Sequence, residues 1–222
     1  EPTDPCSESF EEALRGWGRA LPGLLVAQES PMLKGYDCLP GTRNTAWSHG
    51  MGALMASWLD DPLFAARRLG LSGGAAEALQ DARRVRGLVA LRRTLASAGF
   101  EFVMYVNPDA DLDDRHADLY VKALGVALPV GDPPLWAGNP LLAHSPLDAH
   151  ARLIGASIAA EAHAKLRESL GGDRVSRAAA AWMTEVFYSG GEQLTLDYRL
   201  ARSIQGGYDL DLYLKTLGIG KP

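Results

Sequence analysis

One carboxylate in this chain stands where acid chemistry is possible. Glu29 closes the mostly apolar run Leu24-Leu25-Val26-Ala27-Gln28 and is followed by Ser30-Pro31. A carboxyl shaded by apolar neighbours keeps its proton to a higher pH than one in water, which makes it a candidate general acid. Glycosidic-bond cleavage needs such a group, because the leaving oxygen must be protonated as the sugar gains positive charge. The competing reading of Glu29 is a plain helix-end carboxylate.

The other reactive residue types make weaker patterns. Ala46-Trp47-Ser48-His49-Gly50 has the outline of a nucleophile elbow. That motif needs a buried strand before the serine, and Gly41-Thr42-Arg43-Asn44-Thr45 is polar, so a helix N-terminal turn is the simpler reading. Asn107, Asp109, Asp111 and Asp113 imitate the start of a calcium loop, without its glycine or its closing glutamate. Helix capping by the same aspartates is the alternative. The histidines (49, 116, 144, 150 and 163) contain no i, i+4 pair, and with no Cys-x-x-Cys either, no metal or other cofactor is expected. His150 and Glu161 share a helix face with Ser157 between them, a pattern that fits a polar seam.

The elements that must position these residues are mostly helical. Ser7 or Ser9 caps a first helix, with Glu11 and Glu12 in its opening turn and Phe10, Leu14, Trp17 and Leu21 along one face; Pro22-Gly23 interrupts it. Pro31, Gly35, Pro40, Gly41 and Asn44 make 30–45 a long ordered loop, a kind that is usually functional or pinned. Asn44 or Thr45 then caps a helix through Met51, Leu54, Met55 and Trp58. Gly50 and Gly52 lie in its first turns, where each costs about 1 kcal/mol against alanine, so the spacing predicts close approach of another backbone or a ligand. Asp61-Pro62 opens a continuation. The clearest helix carries Val85, Leu88, Leu91 and Leu95 on one face and Arg83, Arg86 and Arg93 on the other, which reads as a solvated face or a dock for an acidic partner, and it stops at Gly99.

Phe100–Val106 reads as a strand from its aromatic and β-branched content, and Val126–Val130 as a second short one. Asp113 or Asp114 caps the helix carrying Leu119, Val121 and Leu124. Helices over 146–170 and 174–187 and a pair over 193–217 follow. The expected fold is mostly α (α+β): a single helix-rich domain over 1–222 with a small β-sheet.

Three short segments give a resemblance. Glu29-Ser30, Gly52-Ala53-Leu54-Met55 and Tyr188-Ser189-Gly190-Gly191, with Asp61-Pro62 between, resemble in order the motifs of lysozyme-like lytic transglycosylases. The gaps are longer than that family's, and the one before Tyr188 requires an inserted region over about 70–170. The resemblance implies peptidoglycan cleavage with Glu29 as acid/base, in a groove lined by Ser48, His49, Gly50, Gly52 and Tyr188. The alternative function is a non-catalytic binding or assembly domain that meets a partner protein through Trp136, the proline-rich 129–146 stretch or the arginine face.

Composition narrows the setting. Hydrophobic residues at 47% and charged residues at 22% are ordinary for a globular protein. A net charge of −5 disfavours nucleic acid as the partner, since displacing its counterions needs a basic surface. No apolar run approaches the roughly 20 residues of a membrane span. The opening Glu1-Pro-Thr-Asp-Pro-Cys reads as a chain whose targeting segment has been removed, giving an expectation of a periplasmic or secreted protein. Cys6 and Cys38 both lie in polar, proline-rich stretches; there they fit a disulfide closing a loop of about 32 residues, worth roughly 3–4 kcal/mol. Two buried free thiols are the other possibility.

Overall fold

In a computed structural model, residues 5–27, 45–127, 134–171, 176–204 and 207–220 are described, the side chains of 5–7, 141 and 192 apart. The helices are α1 (Pro5–Leu25), α2 (Thr45–Ala56), α3 (Pro62–Leu69), α4 (Gly74–Val106), α5 (Leu112–Leu124), α6 (Leu141–His144), α7 (Asp148–Leu170), α8 (Arg177–Met183), α9 (Leu196–Ile204) and α10 (Leu210–Thr216). The contacts divide the chain into two compact units: Glu1–Arg84 with Ile154–Pro222, and Val85–Leu153. The divisions fall inside α4 and α7. Among the described residues no helix is long and apolar enough to cross a membrane.

The first unit is built around α2. Of its 12 residues, nine are buried, including Trp47, Met51, Leu54 and Met55. A helix that is apolar on every side must be surrounded rather than laid on a surface. Its neighbours reach it through glycine. A Cβ on Gly18 of α1 would stand 2.9 Å from Gly52 Cα, and a Cβ on Gly52 would stand 3.0 Å from the Arg15 carbonyl oxygen. On the other side, a Cβ on Gly155 of α7 would meet His49 Cβ at 2.7 Å and Gly50 N at 2.8 Å, while one on Gly50 would meet Ile158 Cγ2 at 3.0 Å. The helix-disfavouring residues are therefore where α1 and α7 cross α2 backbone to backbone.

Asp61 opens α3 as its sequence suggests: the carboxylate accepts from Leu63 N at 2.9 Å, with Pro62 in the first turn. Pro22 does not stop α1, which continues to Leu25. The arginine face needs correcting at Arg83. Its side chain is only 9% exposed and pairs with Glu11 at 2.5 Å and Asp60 at 2.7 Å, while also donating to the Ala56 carbonyl. It ties α1, the end of α2 and α4 together rather than facing solvent.

The second unit overturns the strand expectation. Phe100–Val106 forms the last turns of α4, and no strand occurs among the described residues, so the small sheet is absent there. The adjacent Phe100 and Glu101 are both buried while Phe102 is 65% exposed, a pattern that strand alternation cannot produce. β-propensity is context-dependent, and extending an existing helix adds one hydrogen bond per residue fixed. Gly99 does not end the helix; Leu119 of α5 packs where its side chain would be, 3.4 Å from an added Cβ. Asp111, not Asp113 or Asp114, caps α5 through the Asp114 N–H, and Gly125 ends it in the left-handed conformation. Val126 and Ala127 follow as coil, and 128–130 lie outside the described residues.

A small aromatic cluster fills this unit. Phe100 meets His116 at 4.8 Å and Trp136 at 5.6 Å between ring centroids, and His116 meets Tyr120 at 4.6 Å. Trp136 donates from its indole to Asp113 at 2.6 Å, so it is engaged internally. Glu101 accepts from Ala149 N at the start of α7. Beside it, Leu147 takes φ 59°, a left-handed conformation unfavourable for a branched side chain.

Candidate functional site

Glu29 and Cys38 lie outside the described residues, as does the Cys6 side chain, so the acid and the disulfide have no described geometry. The residues expected to flank the acid do have one. Ser48, Gly50 and Gly52 are buried within α2 and His49 is half-buried beside Gly155; the room at the two glycines is taken by α7 and α1. Tyr188 is elsewhere in the same unit, at the end of a wide turn.

That turn grows out of α8. Ser176 caps the helix by accepting from Ala179 N at 3.1 Å. After Met183 the winding loosens to a π-helical turn over Thr184–Tyr188, closed by Ser189 N donating five residues back to Thr184 at 2.7 Å. Such turns carry one extra residue and are frequent at functional sites. Phe187 is held edge-on by Trp182 at 5.2 Å and Trp47 at 6.2 Å, which carries Tyr188 into the core at 2% exposed. Burial pushes the phenol far above its ordinary pKa, and its hydroxyl makes no hydrogen bond among the described residues. A buried hydroxyl left unsatisfied is unusual in a native protein.

Arg199 of α9, itself 6% exposed, braces the turn. Its guanidinium lies 4.9 Å from the Trp47 ring centroid and donates to the Gly191 carbonyl. Sequence reasoning passed over it. The signal was there: Arg199 falls on the same helical stripe as Leu200, Ser203 and Ile204, all buried. Between Glu185, Gly190, Gly191, Arg199 and Arg202 lies a cavity of about 10 Å³, room for a single water.

One long-range hydrogen bond joins this turn to the candidate acid's segment. Ala27 N donates to Ser189 O at 3.0 Å. The chain enters 28–44 from a point fixed against the residue that follows Tyr188.

Elsewhere, no group of His, Cys, Asp or Glu among the described residues is arranged to hold a metal. Asp111 of the aspartate run serves as a cap. In the polar seam, Ser157 is buried and His150 exposed; burial, with Asp209 adding to it, raises the pKa of Glu161. No protein-family model matches this chain, and no curated protein sequence matches it.

Proposed function

We propose that the chain cleaves glycan strands of peptidoglycan with Glu29 as general acid/base, and that it acts as an exported, periplasmic or secreted protein. The observation that carries this reading is the Ala27–Ser189 hydrogen bond. It brings the entry to the Glu29 segment against the Tyr188–Gly191 turn, pairing two pieces of sequence that the resemblance also pairs, although more than 150 residues separate them. Connectivity keeps Glu29 within about 7 Å of Ala27, along the chain. The division at Val85–Leu153 supplies the kind of inserted region that the long gap requires.

One observation favours the other reading, a domain that binds a partner without cleaving. Ser48, Gly50 and Gly52 serve helix packing, so the groove walls assigned to them must come from elsewhere. The experiment separates the two. Purified protein is incubated with peptidoglycan sacculi, and released fragments are identified by mass spectrometry. The parent is expected to release them, and Glu29→Gln to lose at least about 100-fold in rate with an unchanged melting temperature. Sacculi that stay intact with the parent, or that dissolve equally with the variant, remove the enzyme reading.

A further inference from the structure

The cavity between the π-helical turn and α9 is bordered by opposite charges that do not meet. Glu185 lies on the turn and Arg202 on α9; both line the cavity, and both are exposed. Neither side chain makes a hydrogen bond or ion pair among the described residues, so the gap between carboxylate and guanidinium is wider than an ion pair. Arg199 forms part of the wall. It is buried and fixed, donating to the Gly191 carbonyl with its guanidinium 4.9 Å from the Trp47 ring centroid. Gly190 lies on the rim with φ −72° and nothing within 4 Å of an added Cβ. Neither conformation nor crowding requires a glycine there, and its missing side chain keeps the rim low. The room inside, about 10 Å³, is that of one water or of one carboxylate oxygen.

A group that fills this gap has two charges to satisfy at once. A hydroxyl is neutral and matches neither. A lone carboxylate suits Arg202 but is repelled by Glu185, and a lone ammonium meets the reverse arrangement. An α-amino acid carries both charges on one carbon. Its carboxylate offers a guanidinium the planar pairing that guanidinium favours, and its ammonium gives donors to a carboxylate. Hydrogen bonds between ionised partners are the strong ones.

We infer that the cleft between the π-helical turn and α9 binds the zwitterionic head of an α-amino acid, its carboxylate on Arg202 with one oxygen in the cavity beside Arg199, and its ammonium on Glu185. The site is small and open to water, so its Kd is on the order of millimolar.

Amide NMR titration of the full chain with glycine, acetate and methylammonium, each alone, tests it. Glycine shifts resonances of 185–191 and 199–202 and saturates. Acetate and methylammonium each bind at least about tenfold more weakly, because each leaves one charge unmatched. Arg202→Gln and Glu185→Gln each weaken glycine binding at least about tenfold, with unchanged circular dichroism spectra because both positions are exposed. Acetate binds Glu185→Gln no more weakly than the parent, since the repelling charge is gone. Glycine shifts that do not saturate, acetate binding as tight as glycine binding, or variants that take glycine as the parent does overturn the inference. No glycan enters the measurement, so its outcome is independent of the cleavage reading.

Discussion

Around α2, helices meet through glycine; around the C-terminal half of α4, they meet through side chains of mixed polarity. In the first unit the crossings at Gly18–Gly52 and Gly50–Gly155 bring backbones together, so Trp47, Met51, Leu54 and Ile158 are all at or near zero exposure. In the second, α5 has no buried residue, and the interior is Leu91, Ala96, Phe100, Ala149, Ala151 and a carboxylate, Glu101. Close crossing excludes water from a whole helix; a thin aromatic cluster excludes it from one ring. The difference makes the second unit the less stable, since local stability follows buried apolar contact.

Phe100→Ala is the largest test of this comparison. Removing the ring on which the His116 and Trp136 contacts converge should cost about 3–5 kcal/mol. Amide exchange should rise first across 96–127, while amides of α2 stay protected. Simultaneous loss of protection in both units would show that they unfold as one.

A smaller effect is expected from the glycines. Gly155→Ala should destabilise by about 1–3 kcal/mol, because backbone atoms of Ala46 and Gly50 cannot withdraw. Gly16→Ala, with nothing within 4 Å of its added Cβ, should instead stabilise by about 0.5–1 kcal/mol. Chemical denaturation of the two variants reads opposite signs if the crossings are as close as described.

The smallest effect is set by pH. Burial raises the Glu101 pKa above 4.5 and Asp148 adds to that; the Ala149 N–H, His150 and Arg152 oppose it. The folded form then binds this proton more tightly than the unfolded form. Its contribution to stability is present below the ordinary carboxylate value and is lost as pH rises through the folded one. Glu101→Gln should therefore flatten the pH dependence of the second unit's unfolding, and gain on the parent as pH rises above 4.5. A parent–variant difference that does not vary with pH would show that Glu101 does not carry the effect.

Helix content was readable because its signals are local. Asp61-Pro62 and the apolar spacing of α2 needed no distant partner. Gly50 and Gly52 announced a close approach, though their spacing could not say whether backbone or ligand made it. Phe100–Val106 misled because its composition favours strand, while the choice was made by α5 and by the helix already running into it. The Tyr188 turn was singled out by resemblance; its contact with Ala27 depends on packing between segments more than 150 residues apart, which no local pattern records.

The helix apolar on every side has a consequence for synthesis. α1 precedes α2 and can cross it at once through Gly18 and Gly52. Ile158 and Gly155, which cover the opposite face, emerge only about 100 residues later. At roughly 5–20 residues per second, Trp47 and Met51 wait on the order of 5–20 s for that cover. During that interval the nascent chain carries an open greasy helix, and Val85–Leu153 must leave the ribosome before it can close.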